Sequence, residues 1–279
     1  MVYASVLENR AVIAVNGAEA RDFLQGLITN DMETCGETRA IYAGLLTPQG
    51  KILFDFFVVA NGDDRWLLDC AASRASDLIK RLMLYRLRAK VEIAARPDLA
   101  VSAAWDDSGA IAAKADAILY PDPRLSDLGV RMIGTKAALG EATRDMEPGD
   151  YDAHRLALGV PDSADLPPDQ VFALDAGFEE LEGVSFRKGC YVGQEVTARM
   201  KHRASARKRF LIADIAGEIP SGTPIEAGGR EIGTLASGKD GHALALVRLD
   251  RLDDAQGAQT PITAAGRQVI LRKPSWLKL

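Results

Sequence analysis

The chain has 279 residues, of which 47% are hydrophobic and 26% charged, with a formal net charge of −5 at pH 7. This composition is typical of an ordinary globular protein with one large domain or two of moderate size. No run of about 18 apolar residues is present, which excludes a transmembrane helix. The first ten residues resemble neither a signal peptide nor an Arg-rich transit sequence. The three cysteines, Cys35, Cys70 and Cys190, are widely spaced, which argues against a disulfide framework and leads us to expect a cytoplasmic protein.

The amino-terminal part of the sequence predicts an antiparallel sheet. A short strand over 12–15 precedes a helix over 18–29, where apolar residues recur at helical spacing. Two β-like runs, 40–46 and 51–60, are joined by a turn with proline second and glycine fourth, which predicts a hairpin. A third strand follows over 65–70. Strand, turn and strand in this order favour antiparallel pairing over parallel βαβ winding.

Residues 73–87 form the clearest predicted helix, because their apolar residues lie along one stripe. Asp77 lies in the first turn of this helix, where the helix dipole favours an anion. Strands are predicted over 90–95 and 100–105. A further helix is predicted near 151–158, followed by a glycine suited to end it.

Beyond Arg207 the sequence alternates short β-like runs with glycine-rich turns. The runs cover residues 209–213, 231–237, 243–249 and 268–271. They predict a small antiparallel barrel or sandwich of about seventy residues. We therefore expect an α+β protein with two domains, 1–205 and 206–279.

Charge is unevenly distributed around Cys190. Between positions 187 and 209 there are eight basic residues against one acid, Glu195. The basic residues are Arg187, Lys188, Arg199, Lys201, Arg203, Arg207, Lys208 and Arg209. This basic band predicts either a site for an anionic ligand or a solvated helix face beside a charged strand.

Cys190 is a candidate for an activated thiol. The thiolate is the reactive form of cysteine, and cationic neighbours or a helix N-terminus favour it. Lys188 lies two residues before Cys190, a helix is predicted to begin near Gly193, and Gly189 and Gly193 permit unusual backbone angles. The alternative, a small buried hydrophobe, stays open for Cys190 and is favoured for the other two cysteines. Because the sequence has no CxxC motif and no Cys/His cluster, we expect no permanent metal site built by this chain alone.

Several motifs resemble those of the YgfZ family, folate-binding relatives of the glycine-cleavage T-protein. The segment from Lys188 to Glu195, KGCYVGQE, is similar to the family signature KGCYxGQE. The further matching blocks are 22–31 (DFLQGLITND), 45–55 (LLTPQGKILFD), 85–91 (YRLRAKV), 155–161 (RLALGVP), 165–168 (DLPP) and 183–186 (GVSF). Together with the start of the strand at Arg207, these blocks most resemble the branch that contains the mitochondrial iron–sulfur cluster assembly factor.

This resemblance implies a T-protein-like ring of antiparallel sheet and helix lobes with a carboxy-terminal barrel. It also implies tetrahydrofolate in a central channel and iron–sulfur client or assembly proteins as partners. The clients of the family include radical enzymes that modify tRNA. The residues implied in the chemistry are Cys190, Lys188 and Asp77. The residues implied in binding the cofactor are Gln194, Gly189, Tyr191, Glu195 and Arg199.

Two departures from the pattern bear on these expectations. The T-protein motif RLEAG, whose glutamate holds the pterin ring, has Ala157 at the glutamate position. A carboxylate can accept paired hydrogen bonds from a pterin, and alanine cannot. Ala204 stands where relatives usually have glycine, which we regard as minor.

Two functions of different classes fit the sequence. The first is a folate-dependent factor for the assembly or repair of iron–sulfur proteins, with Cys190 as a reactive or ligating thiolate. The second is a tetrahydrofolate-dependent one-carbon transferase of the aminomethyl type, in which Asp77 assists proton transfer. We expect no membrane partner, and the few aromatic residues in the basic band argue against stable nucleic-acid binding.

Overall fold

The structure is a computed structural model that describes residues 1–105, 116–203, 207–239 and 241–278. Within these ranges the chain forms two five-stranded sheets, a closed six-stranded barrel and six α-helices. None of the helices there is long and apolar enough to cross a membrane. The domain boundary expected between 205 and 206 and the departure at Ala204 lie outside the described residues.

The strands are numbered in chain order. They are β1 (Tyr3–Val6), β2 (Arg10–Asn16), β3 (Ile41–Leu46), β4 (Ile52–Ala60), β5 (Arg65–Ala71), β6 (Glu92–Ala95), β7 (Ala100–Trp105), β8 (Ile118–Pro121), β9 (Val130–Gly134), β10 (Glu147–Pro148), β11 (Lys208–Ile215), β12 (Pro224–Ala227), β13 (Arg230–Lys239), β14 (His242–Arg248), β15 (Ile262–Ala264) and β16 (Arg267–Arg272). The helices are α1 (Ala20–Gln25), α2 (Ala75–Arg86), α3 (Lys136–Ala142), α4 (Tyr151–Ala157), α5 (Gln194–His202) and α6 (Leu249–Gly257).

The first sheet has the order β3-β4-β5-β2-β6 and is antiparallel throughout, which confirms the predicted hairpin and third strand. The helix predicted over 18–29 is shorter, because its last residues join the sheet instead. Ile28 forms a β-bridge with Leu45, and the Thr29 hydroxyl accepts a hydrogen bond from the Gly44 amide at 2.8 Å. This early end of α1 leaves several backbone carbonyls free for other partners.

The second sheet has the order β10-β1-β7-β9-β8. Of its strands the sequence predicted only β7. One face of the first sheet packs against this second sheet, with Phe57 and Tyr120 in the shared core. The opposite face of the first sheet is covered by α1 and α2, and Val192 packs at the edge of that core.

Buried ionic side chains lie between the two sheets. This ionic cluster consists of Arg10, Asp55, Asp69, Asp122, Arg124, Arg131 and Asp162. Asp69 receives Arg10 Nε at 2.7 Å and Arg131 Nη2 at 2.6 Å. Although burial raises the pKa of Asp69, the two guanidinium groups outweigh it and hold the pKa below its usual range. The cluster therefore joins strands of both sheets.

The barrel closes in the order β11-β14-β13-β12-β15-β16. The four predicted runs correspond to β11, β13, β14 and β16, whereas β12, β15 and α6 were not predicted. The barrel packs on α4, and the Trp276 indole donates to the Leu158 carbonyl at 3.0 Å. Asp165 connects the units further, since it accepts from the Ser237 amide at 2.7 Å and pairs with Arg155 at 2.8 Å. The fold is α+β, as expected, with a closed antiparallel barrel.

Candidate functional site

Residues 185–193, here called the signature loop, connect the core to α5 and carry Cys190. The loop begins with a side-chain cap, because the Ser185 hydroxyl accepts from the amides of Arg187 and Lys188, both at 3.3 Å. Tyr191 is buried at the other end of the loop, and Cys190 between them is exposed. The loop is therefore held at both ends while its cysteine faces solvent.

Lys188 ties the signature loop to the end of α1. Its ammonium group donates to the carbonyl oxygens of Gln25 at 2.7 Å, Ile28 at 2.7 Å and Asn30 at 2.8 Å. These three bonds use all three donors of a lysine. Burial lowers the pKa of Lys188 to about 8. Lys188 therefore anchors the signature loop to the end of α1, and the part in the chemistry that the resemblance implies stays a prediction.

Two glycines fix the start of α5 against the turn between β3 and β4. Gly193 adopts a φ of +84°, and a Cβ there would lie 2.5 Å from the Thr47 carbonyl oxygen. Gly50 has a φ of +80°, and a Cβ there would lie 3.0 Å from Val196. Two blocks that are far apart in sequence thus interlock at glycine, the only residue that fits without strain.

The three cysteines differ in their surroundings. Burial raises the pKa of Cys35 to about 11 and that of Cys70 to about 12, so both stay protonated at neutral pH. Cys190 is exposed and free, four positions before the first residue of α5. Cys190 is therefore the accessible thiol among the described residues.

The basic band is partly neutralised in the structure. Arg199 pairs with Glu195 at 2.7 Å, and Lys201 pairs with Glu179. Arg199 and Glu195, both expected to bind a cofactor, are exposed on α5 and bind each other. At the end of the band, Arg209 lies 3.9 Å from both Asp175 and Glu180, and Lys208 lies near Asp175. Arg187, Arg203 and Arg207 are exposed and have no acidic partner within the described part of the chain. The band is thus a solvated helix face with a smaller cationic remainder near the signature loop.

A cleft of about 430 Å³ opens beside the signature loop. It is lined by Asn30, Arg39, Pro123, Phe186 and Arg187, among others. The Phe186 side chain is 41% exposed here, and the Lys201 ammonium lies 5.4 Å from its ring centre. The surface beside the start of the signature loop therefore offers an aromatic ring, guanidinium groups and a recess.

Three positions that the resemblance relates to folate lie on three different helices. Asp77 is exposed in the first turn of α2 and pairs with Lys80 at 3.5 Å. Ala157, in place of the pterin-binding glutamate, is exposed at the end of α4, and Gln194 is half-buried as the first residue of α5. None of these three side chains offers a buried polar group to a pterin.

One cavity where the lobes meet is small. The cavity between Phe54, Asp55, Arg74 and Ser163 has a volume of about 20 Å³, room for about one water molecule. The Arg74 guanidinium closes it, lying 4.7 Å from the centre of the Phe54 ring. A ligand of folate size fills a pocket of roughly 300 Å³ or more. This cavity is too small for a folate, and the tetrahydrofolate implied by the resemblance stays a prediction.

Comparison with known proteins identifies the family of this chain. The profile of the GCVT N-terminal domain matches residues 7–101, and that of the CAF17 C-terminal beta-barrel domain matches 207–279. The human mitochondrial iron–sulfur cluster assembly factor IBA57 is 33% identical, over 93% of this chain and 83% of the human protein. The chain belongs to the IBA57 family. Its counterpart from Mus musculus is 30% identical, over 88% of this chain and 77% of the mouse protein.

The comparisons also test the fold and the location. The glycine cleavage system aminomethyltransferase T from Bartonella henselae has a TM-score of 0.78 at 16% identity, over 99% of this chain and 86% of that protein. The T-protein-like fold implied by the sequence is thereby confirmed. The expected cytoplasmic location is wrong, because the IBA57 relatives are mitochondrial proteins. The argument from three unpaired cysteines indicated only a reducing compartment.

Sequence reasoning missed the residues that position the signature loop. Gln25, Ile28 and Asn30 supply the carbonyls that hold Lys188, and Ser185 caps the loop. These three residues lie in the block 22–31, which matches a family motif. The motif does not indicate what the block contacts. Every residue has a backbone carbonyl, so a pattern of side chains cannot predict which carbonyls bind Lys188.

Proposed function

We propose that the chain supports the assembly or repair of iron–sulfur proteins and that Cys190 is the thiolate that ligates iron during transfer. The observation that carries this proposal is the geometry of the signature loop. Lys188 and Gly193 anchor the loop on each side, and Cys190 between them is exposed. A thiolate presented in this way can bind the iron of an incoming cluster, which is the cargo of the reaction.

Cys190 provides one ligand, and the remaining ligands come from a partner. No group of three or more His, Cys, Asp or Glu side chains within the described residues could hold a metal ion. Iron–sulfur clusters are usually held by four thiolates. Cys190 therefore acts as one ligand of a cluster shared with a client or assembly protein, or with a small thiol, and hands the cluster on when that partner completes its own ligand set.

The one-carbon transferase has less support from the geometry. That reaction needs a bound folate and an acid or base at its reactive nitrogen. Asp77 pairs with Lys80 at the surface, and the cavity at the lobe junction holds about 20 Å³. Folate dependence and clients that modify tRNA rest on the family resemblance alone.

A reconstitution experiment tests the role of Cys190. The full chain is incubated without oxygen with ferric iron, sulfide and excess glutathione, which can supply the missing thiolates, and is then separated from the small molecules. We expect visible absorption from thiolate-to-iron charge transfer in the wild type, and its loss in Cys190→Ser. Cys35→Ser is the matched control, because its buried thiol cannot reach an added cluster. Equal absorption in the wild type and Cys190→Ser would contradict the proposal.

A further inference from the structure

Three exposed apolar side chains lie together where α2 ends and the chain turns into β6. Met83 is 40% exposed, Leu84 is 70% exposed and Leu87 is 85% exposed. On the opposite face of the same helix, Leu78 and Leu82 are fully buried. Single exposed leucines are ordinary on protein surfaces, but an adjacent group of them indicates a surface that something else covers.

The residues around this group are cationic. Positions 80–90, here called the α2–β6 corner, contain five basic residues and no acidic one, although the chain as a whole has a net charge of −5. The basic residues are Lys80, Arg81, Arg86, Arg88 and Lys90. Two of them have local partners, since Lys80 pairs with Asp77 at 3.5 Å and Arg86 donates to the Val91 carbonyl at 3.4 Å.

The remaining three cations, Arg81, Arg88 and Lys90, have no side-chain partner within the described residues. Nearby acids offset only part of this charge. Glu92 is exposed on β6, and Glu19, which accepts from the Lys90 backbone amide at 2.9 Å, keeps its charge; with Asp77 they make three acids against the five basic residues. The corner therefore carries net positive charge beside its apolar group.

The turn presents these side chains rigidly. Leu87 has a φ of +47°, a conformation that strains a residue with a branched side chain. The backbone around it is fixed, because the Ala89 amide donates to the Arg86 carbonyl at 2.8 Å. Gly17 packs so closely that a Cβ there would lie 2.2 Å from the Lys90 carbonyl oxygen. The surrounding contacts thus hold the most exposed leucine outward.

We propose that the α2–β6 corner binds an anionic lipid surface. Exposed leucines flanked by Lys and Arg are the combination that a peripheral protein uses at a bilayer, with the aliphatic groups entering the interface and the cations facing acidic headgroups. A second copy of the chain is disfavoured as the occupant, because two such corners would oppose like charges. A lipid surface needs no complementary pocket, which suits a convex corner. The sequence predicted no membrane partner because it holds no spanning segment, and a peripheral contact needs none.

Vesicle flotation tests the proposal. The full chain is mixed at low salt with phosphatidylcholine vesicles, either pure or containing about one third phosphatidylglycerol. We expect flotation only with the anionic vesicles, and weaker binding as salt is raised. The double variant Leu84→Ser/Leu87→Ser should reduce the bound fraction about tenfold, since binding scales with the apolar area inserted. Arg81→Glu/Arg88→Glu should reduce it at least as strongly.

Matched controls change exposed residues elsewhere. Ile270→Ser removes an aliphatic side chain that is 57% exposed on the barrel, and Lys136→Glu reverses a charge at the start of α3. Both controls should float like the wild type. Absence of the wild type from the anionic vesicle fraction would overturn the proposal, as would equal flotation of the leucine variant. If the wild type does not bind vesicles and the leucine variant fails to rescue a deficient strain, the α2–β6 corner binds a protein and the proposal is wrong.

Discussion

Cys190 differs from the other two cysteines in its access to solvent, and this difference governs its reactivity. Burial raises the pKa of Cys35 to about 11 and of Cys70 to about 12, whereas Cys190 is exposed. Only a thiolate that reagents can reach is alkylated at an appreciable rate. We expect iodoacetamide to modify one cysteine per native chain at pH 8, located by mass spectrometry at Cys190. Rapid labelling of Cys35 or Cys70 in the folded chain would contradict the assigned burial.

Lys188 holds the signature loop through three hydrogen bonds to backbone carbonyls. Lys188→Met keeps the aliphatic stem and removes the donors, so three carbonyls lose a charged partner. We expect a loss of about 2 kcal/mol in the free energy of unfolding and faster proteolysis within residues 185–193. Lys80→Met is the control, since that side chain is 76% exposed. If Lys188→Met matched the wild type in both measurements, the anchoring role would be refuted.

The signature loop is an element whose shape depends on close backbone contact. Gly193→Ala would place a Cβ 2.5 Å from the Thr47 carbonyl at a φ of +84°, whereas a Cβ at Gly189 meets nothing within 4 Å. We expect Gly193→Ala to lose about 1–3 kcal/mol of unfolding free energy and to impair cluster reconstitution while the Cys190 thiol is retained. Gly189→Ala should be tolerated in urea unfolding. Equal stability of the two variants would show that the interlock with Gly50 is unimportant.

The same elements show how far the sequence predicts the fold. Period-two patterns with clear turns gave the β3–β4 hairpin, and helical spacing gave α2. The helix over 18–29 was predicted too long, because Ile28 and Thr29 are recruited by β3, a contact that local propensity does not contain. Strand β9 was missed because it buries a charged side chain: Arg131 on this strand is fully buried.

The candidate site was predicted in a similar way. A motif identified Cys190 and the loop around it, whereas the relation of Asp77 and Gln194 to a folate rests on the family resemblance and stays a prediction. Cavity volume depends on how whole lobes pack, which short motifs do not encode. The anchoring of Lys188 could not be predicted either, because its partners are backbone carbonyls.

At the scale of the whole molecule, the ionic cluster joins the two sheets. Asp69 on β5 accepts hydrogen bonds from Arg10, Arg131 and Tyr120. Asp69→Asn would leave two buried guanidinium groups without their carboxylate. We expect a loss of about 3–5 kcal/mol in unfolding free energy at pH 7, measured by urea denaturation. Tyr120→Phe removes a single hydrogen bond and should cost about 1 kcal/mol, which keeps the test informative if Asp69→Asn does not fold.

This contribution depends on pH with a definite sign. In the folded chain burial raises the pKa of Asp69, but Arg10 and Arg131 lower it by more. The folded pKa therefore lies below the unfolded value of about 3.9. The stabilisation is therefore fully present above the unfolded pKa and is lost as pH falls through the folded pKa. We expect the difference in unfolding free energy between the wild type and Asp69→Asn to become smaller below about pH 4. Asp98→Asn is the control, because Asp98 pairs with Arg96 at the surface, and it should change the unfolding free energy little at any pH. If the difference for Asp69→Asn stayed constant as pH falls, Asp69 would not be ionised in the folded chain.

We propose that Cys190 carries out the cluster chemistry of this IBA57-family chain. This role is tested by rescue of iron–sulfur enzyme activity in a strain that lacks its own factor of this family, at matched amounts of folded protein. We predict that the wild type and Cys35→Ser restore activity and that Cys190→Ser does not, with all three chains equally stable to heat. Full rescue by Cys190→Ser would contradict the account.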